Sequence, residues 1–146
     1  MVKHSKRFLW GLGVAAAAIL LASMAVATAA DAGGAANAEP AQAKSGEAAF
    51  NNHCRTCHSA KQGDNRLGPS LHGIIGSKAG AQSGYPSYSG ALKGSGITWD
   101  ASTLDRFIAN PDDVVPNNNM KPFKGVPDAA VRKQIVDYLN SAGSAG

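Results

Sequence analysis

Apolar residues recur at helical spacing in three stretches of the chain, and these stretches predict its main helices. The first helix is predicted to begin at Ser45, a good capping residue, and to carry Phe50, Cys54 and Cys57 on one face. Two further helices are predicted: one from Asp100 to Asn110 with Leu104, Phe107 and Ile108 on its apolar face, and one from Pro127 to about Gly143 with Val131, Ile135, Tyr138 and Leu139.

The segments between these helices are rich in glycine and proline and predict ordered loops. One short helix is predicted from Ser89 to Lys93, and the segment from Asp112 to Gly125, which contains Met120, is predicted to be a loop. No two segments have the alternating pattern of paired strands. The predicted fold class is therefore all-α.

The N-terminus has the pattern of a secretory signal. Lys3, Lys6 and Arg7 precede an apolar, alanine-rich run that ends in small residues just before Asp31. We expect cleavage near Ala29 or Ala30, although a run of roughly 20 residues is also long enough to remain as a membrane anchor. The predicted organisation is a signal at 1–30, a flexible polar leader at 31–44 and one domain at 45–146.

Removing this segment changes the charge of the protein. The whole chain has 14 basic and 10 acidic residues, a net charge of +4. The three basic residues of the signal leave 11 basic against 10 acidic residues, a net charge of +1. The high isoelectric point therefore belongs largely to the signal, and we expect no nucleic-acid binding.

The run Cys54-Arg55-Thr56-Cys57-His58 is typical of covalent haem attachment. On a helical turn, this spacing brings both thiols to one edge of a porphyrin, where they can form thioethers. The adjacent imidazole of His58 can then bind the iron. A zinc site is the main alternative; it would need about four protein ligands, with His53 or His72 completing the set. A disulfide and a redox-active cysteine pair are further alternatives.

Around this motif the chain resembles the class I cytochromes c, specifically the mitochondrial cytochrome c and bacterial cytochrome c2 group. The resemblance extends from Gly46 to Leu139. Its segments are Gly46 and Phe50 before the cysteines, Gly68-Pro69-Ser70-Leu71-His72-Gly73, Tyr88, Gly96-Ile97-Thr98-Trp99, Asn110-Pro111, Val115-Pro116 with Met120, and Tyr138-Leu139. It implies a few helices and long loops around one covalently bound haem c.

The resemblance also implies roles for individual residues. Pro69 would accept a hydrogen bond from His58, Tyr88 and Trp99 would hold a haem propionate, and Met120 would be the sixth iron ligand. The sequence departs from the family at Asn118, where threonine is common, and at other positions that usually carry polar donors: Ser77, Leu92 and Phe107.

These features predict a one-electron carrier rather than an enzyme. The resemblance implies a quinol–cytochrome c reductase as electron donor, and a terminal oxidase, reductase or photosynthetic centre as acceptor. We expect a monomer in the bacterial periplasm, which contacts the membrane only through its partners or through an uncleaved N-terminus. A membrane-anchored carrier is one alternative. A peroxidase or gas-binding haem protein is another, but it would need an open sixth iron position and a distal acid–base residue.

The residues around the expected haem edge predict a surface of mixed charge. Relatives usually have lysines there, whereas Asp112 and Asp113 follow Asn110-Pro111 in this chain, and His53 precedes Cys54. The basic residues that remain nearby are Lys61, Arg66, Lys78, Lys121 and Lys124. We therefore expect only weak electrostatic steering towards acidic partners.

Overall fold

The computed structural model describes residues 35–144, which form helices joined by long loops. The helices are α1 (Ala35–His53), α2 (Gly90–Lys93), α3 (Ala101–Ala109), α4 (Pro111–Val114) and α5 (Ala129–Ser144). Between residues 35 and 144 the only strand-like pairing is an isolated bridge of Lys78 with Thr98, so the all-α prediction is confirmed. No helix in this range is long and apolar enough to cross a membrane. The predicted signal at 1–30 lies outside the described residues.

Helix α1 begins ten residues earlier than predicted, at Ala35. Ser45 is therefore inside the helix and not its N-cap, and its hydroxyl donates a hydrogen bond to the carbonyl of Gln42 at 2.8 Å. Residues 35–44 are helical where we had predicted a flexible leader. The segment is rich in alanine, the strongest helix former, and extending an existing helix costs far less than starting one.

Helices α2 and α3 lie where the sequence predicts them, and each is capped by a side chain. Ser89 Oγ accepts a hydrogen bond from the backbone N–H of Leu92 at 3.1 Å, and Asp100 Oδ1 accepts one from that of Thr103 at 2.6 Å. Asp128 Oδ1 similarly accepts from the N–H of Ala130, at 2.8 Å, at the start of α5. These side chains satisfy N–H groups that have no partner within the helix.

Helix α4 was not predicted, because its four residues are too few to show a helical pattern. Its start nevertheless has the chemistry of a helix N-terminus. Pro111 is the first helical residue, where a missing N–H costs nothing, and Asn110 Oδ1 accepts from the N–H of Asp112 at 3.2 Å. The buried Pro111 holds α4 at the end of α3.

Helices α1 and α5 pack together at Gly46. A Cβ atom at this position would lie 2.8 Å from the carbonyl oxygen of Gln134 and 2.9 Å from Cβ of Tyr138. One turn along α1, the Phe50 ring lies against that of Tyr138, with ring centroids 5.4 Å apart. The absent side chain therefore lets the two helices approach closely.

The core continues from this contact to α3. Trp99 and Phe107 lie with ring centroids 5.0 Å apart. Arg132 on α5 forms an ion pair with Asp105 on α3, Nε to Oδ1 at 2.9 Å, and donates to the carbonyl of Val126 at 3.0 Å. The buried apolar residues form one cluster: Ala49, Phe50, Ile74, Ala79, Trp99, Leu104, Phe107, Ile108, Val115, Val126, Ile135, Val136 and Leu139.

The contact at Gly46 predicts a specific loss of stability. Gly46→Ala should lower the free energy of unfolding by about 1–3 kcal/mol, because the added methyl group forces the two backbones apart. Gly90→Ala is the matched control, since a Cβ there meets nothing within 4 Å. It should change the free energy by less than about 1 kcal/mol. Denaturant unfolding of both holoproteins measures the difference, and equal effects would contradict the packing argument.

Candidate functional site

The cysteines lie on a turn that directly follows α1. The N–H of Cys54 donates to the carbonyl of Phe50 at 2.8 Å, and the N–H of His58 donates to the carbonyl of Cys54 at 2.9 Å. The helical hydrogen-bond pattern thus extends beyond the last residue of α1. This turn brings Cys54, Cys57 and His58 to the wall of one cavity.

The structure gives no support to the disulfide or the zinc alternative. No disulfide joins Cys54 and Cys57. Among the described residues, no group of three or more histidine, cysteine, aspartate or glutamate side chains is arranged to hold a metal ion, so the zinc alternative is not supported. Burial, with a smaller effect of Cys57, raises the pKa of Cys54 to about 12. The free thiol of Cys54 is therefore protonated at neutral pH.

His58 is held firmly against the loop that follows it. Its Nδ1 lies 2.8 Å from the carbonyl oxygen of Pro69. Since a carbonyl can only accept, Nδ1 carries the proton and Nε2 keeps its lone pair. Burial lowers the pKa of His58 and the bond to Pro69 opposes that change, so the ring is neutral at pH 7. A Cβ on Gly68 would lie 2.3 Å from Cε1 of the ring, so only glycine fits beside it.

A second set of hydrogen bonds, which the sequence analysis missed, fixes the loop of Pro69. The fully buried Ser70 donates from Oγ to the carbonyl of Lys61 at 2.6 Å. Its N–H donates to Asn65 Oδ1 at 2.8 Å, and Asn65 Nδ2 donates to the carbonyl of Ser83 at 3.2 Å. Asn65 therefore connects the loop of Pro69 to the segment around Ser83.

Tyr88 and Trp99 line the same cavity. The ring of Tyr88 meets that of Tyr85 edge-on, with centroids 4.9 Å apart, and Tyr85 donates to the carbonyl of Leu67 at 2.8 Å. Burial raises the pKa of Tyr88. Tyr85 and Leu67 are thus two further wall residues that the sequence analysis did not assign to the site.

The cavity has a volume of about 460 Å³, within the ~300–1,000 Å³ of pockets that enclose a small ligand or cofactor. All seven predicted site residues line it: Cys54, Cys57, His58, Pro69, Tyr88, Trp99 and Met120. The rest of its wall is largely apolar and includes Leu71, Ile74, Leu104, Phe107, Ile108 and Leu139.

This donor set fits haem c. A flat apolar ring system requires a broad apolar cavity, and its two vinyl groups require two thiols at one edge. A neutral imidazole with a free Nε2 is a good iron ligand, and a thioether is the partner found in electron-carrying cytochromes. His58 and Met120 supply these two groups in one cavity.

Known proteins with similar sequences agree with this chemistry. Residues 41–139 match the family model described as cytochrome c oxidase, cbb3-type, subunit III. The cytochrome c2 iso-2 of Magnetospirillum molischianum is 41% identical over 88 residues, which are 60% of this chain and 89% of that protein. The cytochrome c2 of Rhodopila globiformis is 36% identical over 105 residues, 72% of this chain and 97% of that protein.

A solved structure extends the agreement to the fold. Cytochrome cH from Methylobacterium extorquens is 40% identical, with a TM-score of 0.61, over 68% of this chain and 97% of that protein. Helices, cavity and relatives lead to one conclusion. The chain belongs to the class I cytochrome c family, whose cofactor is one covalently attached haem c.

Proposed function

We propose that this protein is a one-electron carrier whose haem iron is bound by His58 and Met120. Family membership supports electron transfer in general. The observation that carries the more specific proposal is that the buried, neutral His58 and the single methionine of the described chain line one apolar cavity. Cys54 and Cys57 would provide the two thioether links, and Tyr88 and Trp99 would hold a propionate.

Haem c supplies a one-electron couple at its iron. Pro69 keeps the His58 imidazole in one tautomer and raises its basicity through the hydrogen bond to Nδ1. The thioether of Met120 is a soft ligand and favours a high reduction potential, as does the apolar wall. With both His58 and Met120 bound to the iron, neither water nor substrate would have to enter during a transfer.

An enzymatic role, such as that of a peroxidase, has less support. Such a protein needs an open sixth position and a nearby acid–base group. In the described part of the chain, the histidines that line the cavity are His53 and His58, and both belong to the cysteine segment. The loop of Met120 contributes asparagine and lysine side chains but no histidine. We therefore propose a carrier and no enzymatic reaction.

The proposed location is the bacterial periplasm, with the predicted signal either cleaved or retained as an anchor. The proposed donor is a quinol–cytochrome c reductase and the proposed acceptor a terminal oxidase, reductase or photosynthetic centre. We propose that the protein is a monomer. Attachment of haem c outside the bacterial cytoplasm is consistent with the signal pattern at 1–30.

The ligand assignment predicts the behaviour of Met120→Ala. Losing the thioether should lower the reduction potential and allow carbon monoxide to bind the reduced protein, because the sixth position opens. The sulfur-to-iron charge-transfer band of the oxidised protein should disappear. Lys124→Ala, in the same loop and exposed, is the control and should keep the band. A band that survives in Met120→Ala would exclude Met120 as the ligand.

The signal prediction concerns the mass of the mature protein. The intact mass of the holoprotein from its native host should show the loss of about 29 or 30 residues, as for a signal of this type. The protein should then be found in the soluble fraction. A mass that still includes residues 8–30, together with recovery in the membrane fraction, would instead support the anchored carrier.

The mixed-charge surface predicts how the rate of electron transfer to the acceptor depends on salt. Two of the five basic residues expected near the haem edge form ion pairs: Arg66 with Asp64 at 2.9 Å, and Lys121 with Asp112. Exposed charges are screened beyond roughly 8 Å at physiological salt. The bimolecular rate of electron transfer to the native acceptor should therefore change little between low and moderate ionic strength.

A charge-reversal variant is the matched comparison. Asp113 is exposed, and Asp113→Lys adds positive charge to the same region. If the acceptor is acidic, the bimolecular rate of electron transfer from this variant should fall more steeply with salt than that of the natural protein. A fall of about a hundredfold across the salt series in the natural protein, as in strongly steered pairs, would contradict the mixed-charge prediction.

A further inference from the structure

The Asp112 carboxylate lies between two side chains of the loop that carries Met120. Its Oδ1 accepts a hydrogen bond from Asn118 Nδ2 at 3.0 Å, and its Oδ2 forms an ion pair with Lys121 Nζ. Asn118 lies two residues before Met120, and Lys121 lies one residue after it. A single carboxylate on α4 therefore binds both flanks of the proposed ligand.

Asn118 forms hydrogen bonds with both Asp112 and Met120. It is buried, with 4% of its surface exposed, and its Oδ1 accepts from the N–H of Met120 at 2.9 Å. Its Nδ2 also donates to the carbonyl of Val115 at 2.9 Å. A buried amide that loses a partner costs about 1–3 kcal/mol, so the orientation of Asn118 depends on the acceptor that Asp112 supplies.

The Asp112 carboxylate belongs to a helix that is held in place at both its cap and its contact with α3. Helix α4 is capped by Asn110 and held against α3 through the buried Pro111. The hydrogen bond from Lys121, and after it the neighbouring positive charge, lowers the pKa of Asp112, so the side chain is ionised at neutral pH. A hydrogen bond to an ionised acceptor is stronger than one between neutral groups.

We propose that Asp112 is a positioning residue that acts through Asn118 to keep the thioether of Met120 at the iron. This inference rests on the proposed function, since Met120 must be the sixth ligand. The hydrogen bond to the buried Asn118 contributes most of the effect. The ion pair with Lys121 contributes less, because both of its side chains are about half exposed.

The test is the binding of imidazole, which competes with Met120 for the iron, to the oxidised holoprotein. Asp112→Ala removes the charge-assisted bond that holds the Met120 loop, so imidazole should displace Met120 more easily and bind about tenfold more tightly. A tenfold change in affinity corresponds to ~1.4 kcal/mol, which such a bond can supply. Asp112→Asn keeps an acceptor for Asn118 and should restore most of the natural value. Asp113→Ala, on the same helix, removes the same charge and should leave the affinity unchanged.

Three results would overturn this inference alone, provided that the natural protein has the sulfur-to-iron band. These are equal changes in Asp112→Ala and Asp113→Ala, no change in either, or a lower denaturant midpoint for Asp112→Ala with unchanged imidazole affinity. The last result would reveal a purely structural role. A natural protein without the band would instead overturn the assignment of Met120 and, with it, the positioning role.

Discussion

The close contact of α1 with α5 at Gly46 is the constraint on which the rest of the structure depends. Helix α1 ends one residue before Cys54, so its direction determines where the attachment turn lies. Helix α5 contributes Leu139 both to the core and to the cavity wall. Because a Cβ at Gly46 would clash with the carbonyl oxygen of Gln134 at 2.8 Å, we expect a larger residue there to displace α1 and, with it, the attachment turn.

Part of the core also forms the wall of the site in this protein. Trp99, Leu104, Phe107 and Ile108 belong to the buried cluster and also line the cavity. A domain of about 100 residues has little interior to spare, so one set of apolar groups serves both purposes. The loops supply most of the remaining wall. The loop of Met120 alone contributes Asn118, Asn119, Met120, Lys121, Pro122 and Phe123.

The parts of the fold that follow from short-range patterns could be predicted from the sequence. The positions of α2 and α3, the apolar faces of α3 and α5 and the cysteine turn each depend on residues within a few positions of one another. The start of α1 could not be predicted, because its extension to Ala35 depends on a helix nucleated further along the chain. Helix α4 is too short to have a pattern of its own.

The side-chain bonds around the proposed ligands could not be predicted either. Asn65 reaches Ser83, 18 positions away, and Asn118 is an amide whose partners depend on how the loop folds. Nothing in the sequence distinguishes these residues from other polar loop positions. The resemblance identified Asn118 only as a departure from threonine, whereas in the structure both of its amide hydrogens and its oxygen are already bonded within the loop.

Asp112 illustrates how one departure from the family can act on two properties at once. The resemblance leads us to expect lysine at this position, near the proposed haem edge. Here the carboxylate removes that charge, and its ion pair also neutralises Lys121. The same carboxylate accepts the hydrogen bond from Asn118 behind Met120. A lysine at this position could not accept that bond, so a steering charge placed here would remove an acceptor of Asn118 in the Met120 loop. The proposed docking surface and the proposed ligand loop therefore share one side chain.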